Sequence, residues 1–281
     1  MSTRRLSPRA VSAAALQYLL LGLLAFLMVF PFLWMASTSL KSFGEAFAYP
    51  PTLLPRAWRW SNYGEIFNAM PMTRFLLNSC KITGLTVLGM LLSCSMAAFA
   101  LARLEFPGKR LLFASTLATL MVPYQVTLIP VFILFQYLGW KDTHYPLWVP
   151  AFFGGAFGVF LLRQFFIGVP KDLYEAALVD GSTPGGILFR IYLPLAKPAL
   201  TTLGVFTFMA SWNDLLNPLI YIDTLEKMPL TAGLSFLQTQ YGSDWPLMMA
   251  GAMISILPIL AIFFVAQRAF IQGIATAGLK G

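Results

Sequence analysis

The chain has 281 residues, of which 58% are hydrophobic and only 11% are charged, and its formal net charge is +8. Soluble domains carry about 25% charged residues, so this composition excludes an ordinary soluble fold and indicates a protein embedded in a bilayer. In such a protein the excess of basic residues reports membrane topology, and nucleic-acid binding is not implied.

Six apolar segments reach the ~20 residues that a membrane-spanning helix needs. The sequence therefore predicts an all-α integral membrane protein with six transmembrane helices. In chain order, the predicted spans are residues 13–34, 82–101, 111–135, 147–166, 199–221 and 247–266.

The first span and the segment after it have distinct compositions. The first apolar run is longer than the roughly 7–15 residues of a signal-peptide core and no A-x-A cleavage pattern follows it, so we predict a retained span. Residues 41–74 are rich in proline and tryptophan. Interfacial aromatic residues and broken backbone suit a segment that lies across the outer membrane surface.

The second, third and fourth spans carry cysteines, prolines and glycines. Cys80 and Cys94 are 14 positions apart, which is ~21 Å along a helix and too far for a disulfide, so both are expected to be packing residues. Pro123 and Pro130 are expected to interrupt the third span. Gly154, Gly155 and Gly158 leave the fourth span without side chains at three positions. These residues fit either simple kinks with close helix packing or a translocation path.

A polar segment, residues 168–198, separates the fourth and fifth spans. Asp172 is expected to cap a first helix, with Glu175 three residues on, and Gly181 to end it. Thr183 and Pro184 then begin a second helix, which Pro194 is expected to end. Two short helices joined by a glycine just outside the bilayer form a surface that another protein can grip.

This segment resembles the EAA loop of the membrane subunits of bacterial ABC importers, with the pattern E-A-A-x-x-D-G, a spaced Phe and P-x-x-x-P. Ser182, where many relatives carry Ala, is the only small departure. The resemblance implies that the loop couples the chain to ATPase subunits. The residues that match are Glu175, Ala176, Ala177, Asp180, Gly181, Phe189, Pro194 and Pro198.

The resemblance also implies the type I importer fold, with a five-helix core and a peripheral first helix. We accordingly assign residues 72–267 to the core, with the coupling loop at 168–198. Residues 1–71 form an N-terminal tail, the first helix and the outer segment. Residues 268–281 form a C-terminal tail, which the resemblance places near the ATPase subunits.

The fifth span contains a polar run, Trp212, Asn213 and Asp214, with Asn217 one helical turn beyond Asn213. An acid in the bilayer costs ~2.5–3.5 kcal/mol, so Asp214 should face protein or water. The run is either a structural hydrogen-bond cluster or gate, or a site of contact with the passing solute, and Trp212 offers a ring on which a sugar can stack. With Pro218 and residues 267–281, it resembles the carbohydrate branch, the maltose-type permeases.

The basic residues predict the orientation. Twelve cations and four anions fall on the side that carries both termini and residues 168–198, against seven cations and seven anions on the other side. Cytoplasmic loops carry the excess of lysine and arginine. We therefore expect a multi-pass protein of the bacterial inner membrane with both termini in the cytoplasm.

Several kinds of chemistry are missing from the sequence. The single histidine, His144, excludes a histidine-based metal site, and we find neither paired acids within the spans nor a phosphate-binding G-x4-G-K-S/T loop. The chain is thus expected to hold no cofactor and no metal and to be no enzyme. If ATP drives transport, partner ATPase subunits must bind ATP and magnesium.

We read the chain as the permease subunit of an ATP-driven carbohydrate importer. The expected partners are a homologous second permease, two ATPase subunits, an extracytoplasmic solute-binding protein and the lipid bilayer. An importer of sn-glycerol-3-phosphate or a polyol shares these sequence features. A stand-alone ion-coupled transporter or a membrane enzyme is the alternative from another class, but it should show clustered intramembrane acids or metal ligands.

Overall fold

The computed structural model describes residues 8–240 and 244–278, and all regular secondary structure in this part of the chain is helical. The predicted tail residues Arg4, Arg5 and Lys280 lie outside the described residues. The helices are α1 (Pro8–Thr38), α2 (Phe43–Ala46), α3 (Asn62–Ala69), α4 (Met72–Arg103), α5 (Lys109–Ala118), α6 (Tyr124–Tyr137), α7 (Tyr145–Trp148), α8 (Ala156–Gly168), α9 (Lys171–Val179), α10 (Pro184–Ile187), α11 (Leu193–Leu195), α12 (Lys197–Trp212), α13 (Leu216–Tyr221), α14 (Leu230–Gln240) and α15 (Trp245–Gly278).

Among the described residues, four helical stretches are long and apolar enough to cross a membrane, and the number rises to six if each of two bent pairs counts as one span. The four stretches are Ala14–Thr38, Met72–Arg103, Tyr145–Gly168, which includes α7 and α8, and Trp245–Val265. One pair bends by 102° between Met121 and Tyr124, and the other by 82° between Leu195 and Lys197. The prediction of an all-α protein with several transmembrane helices is confirmed.

Two of the predicted spans are broken, and the expected interruption of the third span at Pro123 is confirmed. Pro123 marks the break in the third span, because its fixed backbone ends the 3₁₀ turn Thr119–Met121 and precedes α6. Pro130 was expected to interrupt this span as well, but it lies inside α6. The predicted fifth span is α12 and α13, separated at residues 213–215.

The last helix is longer than predicted. It continues to Gly278, twelve residues beyond the predicted end of the sixth span at Ala266. Residues 267–278 contain no proline and are rich in alanine, isoleucine and glutamine, so no residue in this stretch forces the helix to end.

The chain divides into two compact units: Met1–Met70 with Leu237–Ile254, and Pro71–Phe236 with Ser255–Gly281. Within the first unit, the end of α1 is tied to the segment that follows it. Asn62 of α3 donates to the carbonyl oxygens of Ser39 and Lys41 at 2.8 and 2.9 Å. Trp58 and Trp60 stack at 6.3 Å in the segment that the sequence assigns to the membrane surface.

The core of the second unit forms where α4, α8 and α12 meet. A Cβ at Gly158 would lie 2.7 Å from the Sγ atom of Cys94 and 3.1 Å from the side chain of Leu203. Cys94 is fully buried, and Cys80 is exposed. Gly158 is therefore required for close helix approach, which confirms the packing interpretation at this position.

Candidate functional site

The first helix of the loop, α9, begins at Lys171, two residues earlier than a cap at Asp172 allows. Its N-cap is Pro170, which makes no side-chain cap, and Asp172 lies in the first turn. The predicted capping role of Asp172 is therefore wrong. Glu175 instead pairs with Lys171 at 2.7 Å across one helical turn, which raises the pKa of Lys171.

The end of α9 has the predicted glycine. Gly181 has a φ of 78°, the left-handed conformation that side chains disfavour. The Gly181 N–H donates to the carbonyl of Leu178 at 3.0 Å and the Ser182 N–H to that of Ala177 at 2.9 Å. These two bonds form a Schellman motif. No atom lies within 4 Å of the position of a Cβ at Gly181, so backbone conformation alone requires the glycine here.

The second half of the loop also begins as predicted. The Thr183 side chain accepts from the Gly186 N–H at 3.2 Å, and Pro184 is in the first turn of α10. The helix then passes through a π-helical turn, Leu188–Tyr192, and reaches Leu195. Pro194 was expected to end it, but Pro194 lies within its last turn. The wider turn before the proline accommodates its missing N–H.

The loop, residues 168–198, has a buried face and an exposed face. Five of its side chains are at most 7% exposed and join the core of α4 and α8: Ala177, Ile187, Leu188, Tyr192 and Ala196. Other large apolar side chains of the loop are 42 to 88% exposed: Leu173, Leu178, Val179 and Phe189. Glu175 and Asp180 are exposed as well. A rigid element that presents apolar side chains and acids to its surroundings is suited to bind another protein.

The members of the EAA pattern therefore fall on both faces. Ala177 is buried, Pro198 is half-buried, and Glu175, Ala176, Asp180, Gly181, Phe189 and Pro194 are exposed. The alanine of the pattern at residue 177 supports packing of the loop on the core, whereas the exposed members are available to a partner.

Trp212 does not offer the ring surface expected for sugar stacking. Its side chain is 3% exposed and stacks on Phe208 at 5.3 Å. Its Nε1 donates to the carbonyl of Ser255 at 3.1 Å, so it ties α12 to α15. Asn213 is exposed and caps the end of α12 by donating to the Met209 carbonyl at 2.8 Å.

Asp214 and Asn217 form a polar cluster at the break between α12 and α13. The Asp214 carboxylate accepts from the Asn217 N–H at 3.2 Å and from its side-chain amide at 2.8 Å. The Tyr124 hydroxyl donates to the Asn217 side-chain oxygen. Tyr124 is the first residue of α6, so the breaks in the third and fifth spans meet at this cluster. The sequence analysis missed Tyr124, although its place directly after Pro123 indicated it.

A second polar site, which the sequence analysis missed, joins the loop after α6 to the loop after α13. We call it the loop clamp and define it by Asp142, His144, Thr224 and Lys227. Asp142 accepts from the Thr224 N–H at 2.9 Å, the Thr224 hydroxyl at 2.7 Å and the Lys227 ammonium at 2.5 Å. The His144 Nε2 lies 2.7 Å from the Lys227 carbonyl oxygen.

The loop clamp perturbs its own ionisable groups. Hydrogen bonds from Lys227 above all hold the pKa of Asp142 well below its usual range. Burial lowers the pKa of His144, which leaves its ring neutral at pH 7 and able to donate to the Lys227 carbonyl. Asp142 has a φ of 56°, a conformation that aspartate tolerates better than most side chains.

Comparison with known proteins places this geometry in a family. Residues 89–276 match the family described as the inner membrane component of binding-protein-dependent transport systems. The chain belongs to this family. The matched range contains the whole loop 168–198 and both polar sites, and the recognition of an importer permease from the EAA pattern is confirmed.

Curated relatives of this permease cover most of its length. It is 34% identical to a probable ABC transporter permease, YurM, of Bacillus subtilis, over 94% of this chain and 87% of that protein. It is 33% identical to the diacetylchitobiose uptake permease NgcG of Streptomyces coelicolor, over 91% and 85%. The arabinooligosaccharide permease AraQ of Halalkalibacterium halodurans is 34% identical, over 92% and 93%.

A solved structure has the same fold. It is a chain of a bacterial ABC transporter involved in the import of the acidic polysaccharide alginate, with a TM-score of 0.82, 25% identity and coverage of 95% of this permease and 99% of that chain. The predicted importer-permease fold is therefore confirmed. The division at residues 71 and 267 and the roles of individual site residues stay predictions.

Proposed function

We propose that this permease is a subunit of an ATP-driven importer that moves a sugar or oligosaccharide across the bacterial inner membrane. The observation that carries the proposal is the loop 168–198, which packs on the core with one face and exposes apolar and acidic side chains on the other. A surface of this kind transmits movement from a partner to the helices on which it is packed.

The proposed assembly contains a homologous second permease, two ATPase subunits that bind ATP and magnesium, and an extracytoplasmic solute-binding protein. In this assembly the chain itself holds no cofactor, and both of its termini face the cytoplasm. The family description supports the binding protein, since it names transport systems that depend on one.

The substrate class rests on the relatives. Their names specify diacetylchitobiose and arabinooligosaccharides, which favours a sugar over the alternative of a polyol or sn-glycerol-3-phosphate. The polar cluster of Tyr124, Asp214 and Asn217 lies where two broken spans meet, and we propose it as part of the solute path or its gate. Trp212, which is buried and bonded to α15, is not proposed as a solute contact.

The coupling role of the loop can be tested with a charge reversal. Glu175→Lys inverts the charge of the exposed face and removes the ion pair with Lys171. We expect a membrane-inserted subunit whose ATPase partners bind weakly or no longer respond to the loaded solute-binding protein. The measurement is solute-stimulated ATP hydrolysis and uptake in reconstituted vesicles.

The chain offers a matched control for this variant. Glu105, in the connection between α4 and α5, pairs with Lys109 at 3.2 Å and lies outside the loop. Glu105→Lys therefore makes the same change of charge at an exposed ion pair that is not part of the loop. Full stimulation by solute in Glu175→Lys would refute the coupling role, and an equal loss in both variants would assign the effect to net charge.

A further inference from the structure

Arg103, the last residue of α4, reaches the end of the neighbouring helix α8. Its Nη2 donates to the Phe166 carbonyl at 2.6 Å and to the Val169 carbonyl. The last carbonyls of a helix lack partners within the helix, and a cation at this end also interacts favourably with the helix dipole. Arg103 thus joins the C-terminal ends of α4 and α8.

The same guanidinium contacts the loop 168–198. Its central carbon lies 5.3 Å from the centre of the Tyr192 ring, within the ~6 Å at which a cation is attracted to an aromatic face. Tyr192 is fully buried and belongs to the π-helical turn of the loop. Short π-helical segments occur often at functional sites. Arg103 is therefore in contact with α4, α8 and the loop at once.

Aromatic rings surround this contact. Tyr192 meets Phe99 of α4 at 5.0 Å and Phe166 of α8 at 5.4 Å, each nearly edge to face. Tyr174 of α9 meets Phe99 at 6.0 Å. Interlocked rings have few alternative arrangements in a densely packed core, so displacement of the loop displaces the helices that carry the other rings.

We infer that Arg103 and Tyr192 are positioning residues that transmit movement of the loop to α4 and α8. This inference rests on the proposed function, in which ATPase subunits move the loop. Chain connectivity by itself links the loop to α12, the helix that directly follows it, and the contacts of Arg103 and Tyr192 add α4 and α8. Here the second and fourth spans move with the loop as one body.

A second arginine provides the matched control. Arg163 of α8 donates from Nε to the Leu101 carbonyl of α4 at 3.2 Å and lies 4.0 Å from the centre of the Phe113 ring. It thus makes the reciprocal α8-to-α4 bond and a ring contact, but its ring partner is in α5 and not in the loop. Arg163→Gln removes a similar inter-helix bond and leaves the loop contact intact.

The experiment compares four variants in the complete importer reconstituted in vesicles: Arg103→Gln, Tyr192→Leu, Tyr192→Phe and Arg163→Gln. The readout is the ratio of ATP hydrolysis with and without loaded solute-binding protein, alongside the yield of assembled complex. We expect Arg103→Gln and Tyr192→Leu to lower this ratio roughly tenfold, a usual size for coupling between two sites. Tyr192→Phe keeps the ring and should keep the ratio, and so should Arg163→Gln.

Three results would overturn the inference: an unchanged ratio in Arg103→Gln, an equal loss in Arg103→Gln and Arg163→Gln, or an equal loss in Tyr192→Phe and Tyr192→Leu. If Arg103→Gln does not assemble, the two Tyr192 variants decide alone. Normal coupling in Glu175→Lys would refute the coupling role of the loop on which the inference rests, whereas loss there with a normal Arg103→Gln would refute only the route through Arg103.

Discussion

Asp214 combines two properties that substitutions can separate: its carboxylate accepts hydrogen bonds at the start of α13, and it carries a negative charge. Its oxygens hold the N–H and the amide of Asn217 at the start of α13, and its charge lies at the break in the fifth span. A polar residue kept at such a place despite its insertion cost is expected to serve transport.

We expect Asp214→Leu to assemble but to reduce uptake, because it removes both the charge and the hold on Asn217. Asp214→Asn is the matched variant, since an amide oxygen can still accept from the Asn217 N–H. Uptake and complex yield should be measured together. A similar loss of uptake in both variants identifies the charge as the requirement. Normal uptake with normal yield in Asp214→Leu would contradict a role in the solute path, and lost assembly would make Asp214 a packing residue.

Residues whose partners are close in sequence were the predictable ones. The glycine at 181 and the cap at 183 followed from the sequence because both bond within five residues. Tyr124 and Asn217 are 93 residues apart, and Arg103 and Phe166 are 63 apart. No local pattern specifies contacts of this length, so these partners required the fold.

At the scale of elements, apolar length predicted the spans, and Pro123 predicted the break in the third span, but the break in the fifth span was missed. Hydropathy averages over a window, so it does not distinguish a continuous helix from two helices joined at residues 213–215. The prediction of where α9 begins was wrong for a different reason. Asp172 and Pro170 both precede a helix-forming stretch, and the proline sets the start because it needs no N–H partner at that position.

The loop clamp between two elements should make stability depend on pH. The pKa of His144 is lowered from 6.5 in the folded protein. As pH falls through 6.5, the unfolded protein therefore binds a proton at this residue before the folded protein does, and the folded state loses stability. The charged groups near it are Lys81, Lys227 and Asp142, and the two lysines oppose its protonation. The pKa of Asp142 is lowered from 3.8, so its stabilisation is present at neutral pH and is lost below about that value.

Thermal unfolding of the purified protein should therefore show a melting temperature that falls from pH 8 to pH 5 for the native chain. The melting temperature of His144→Gln, whose amide can still donate to the Lys227 carbonyl, should depend less on pH.

Asp142→Asn should lower the free energy of unfolding by about 1–3 kcal/mol at pH 7, because it weakens several hydrogen bonds to one carboxylate. Asp223→Asn, which breaks an exposed ion pair with Lys141, should cost less than about 1 kcal/mol. Equal effects of the two substitutions would contradict a special role for the clamp.

For the whole molecule, the distribution of charge predicts the orientation in the membrane. Lys81 and Arg103 of α4 are 22 residues apart, or about 33 Å along a helix, which matches the ~30 Å hydrocarbon core. Arg103 lies at the end that contacts the loop 168–198. The loop is therefore expected on the same side as Arg103, where the sequence predicts the excess of cations, and we propose that this side faces the cytoplasm.

Cysteine labelling tests this assignment in intact cells and in opened membranes. The background variant is Cys80→Ser, because Cys80 is exposed, whereas Cys94 is fully buried and can remain. Glu226→Cys, in the loop after α13, should react with a membrane-impermeant thiol reagent in intact cells. Ser182→Cys should react only after the cytoplasmic side is opened. A docked ATPase can shield Ser182, so Glu105→Cys, which lies outside the loop and whose side chain is 90% exposed, is the control for that side. Labelling of Glu105→Cys in intact cells would reverse the orientation and remove the loop from the ATPase side, and with it the proposed coupling.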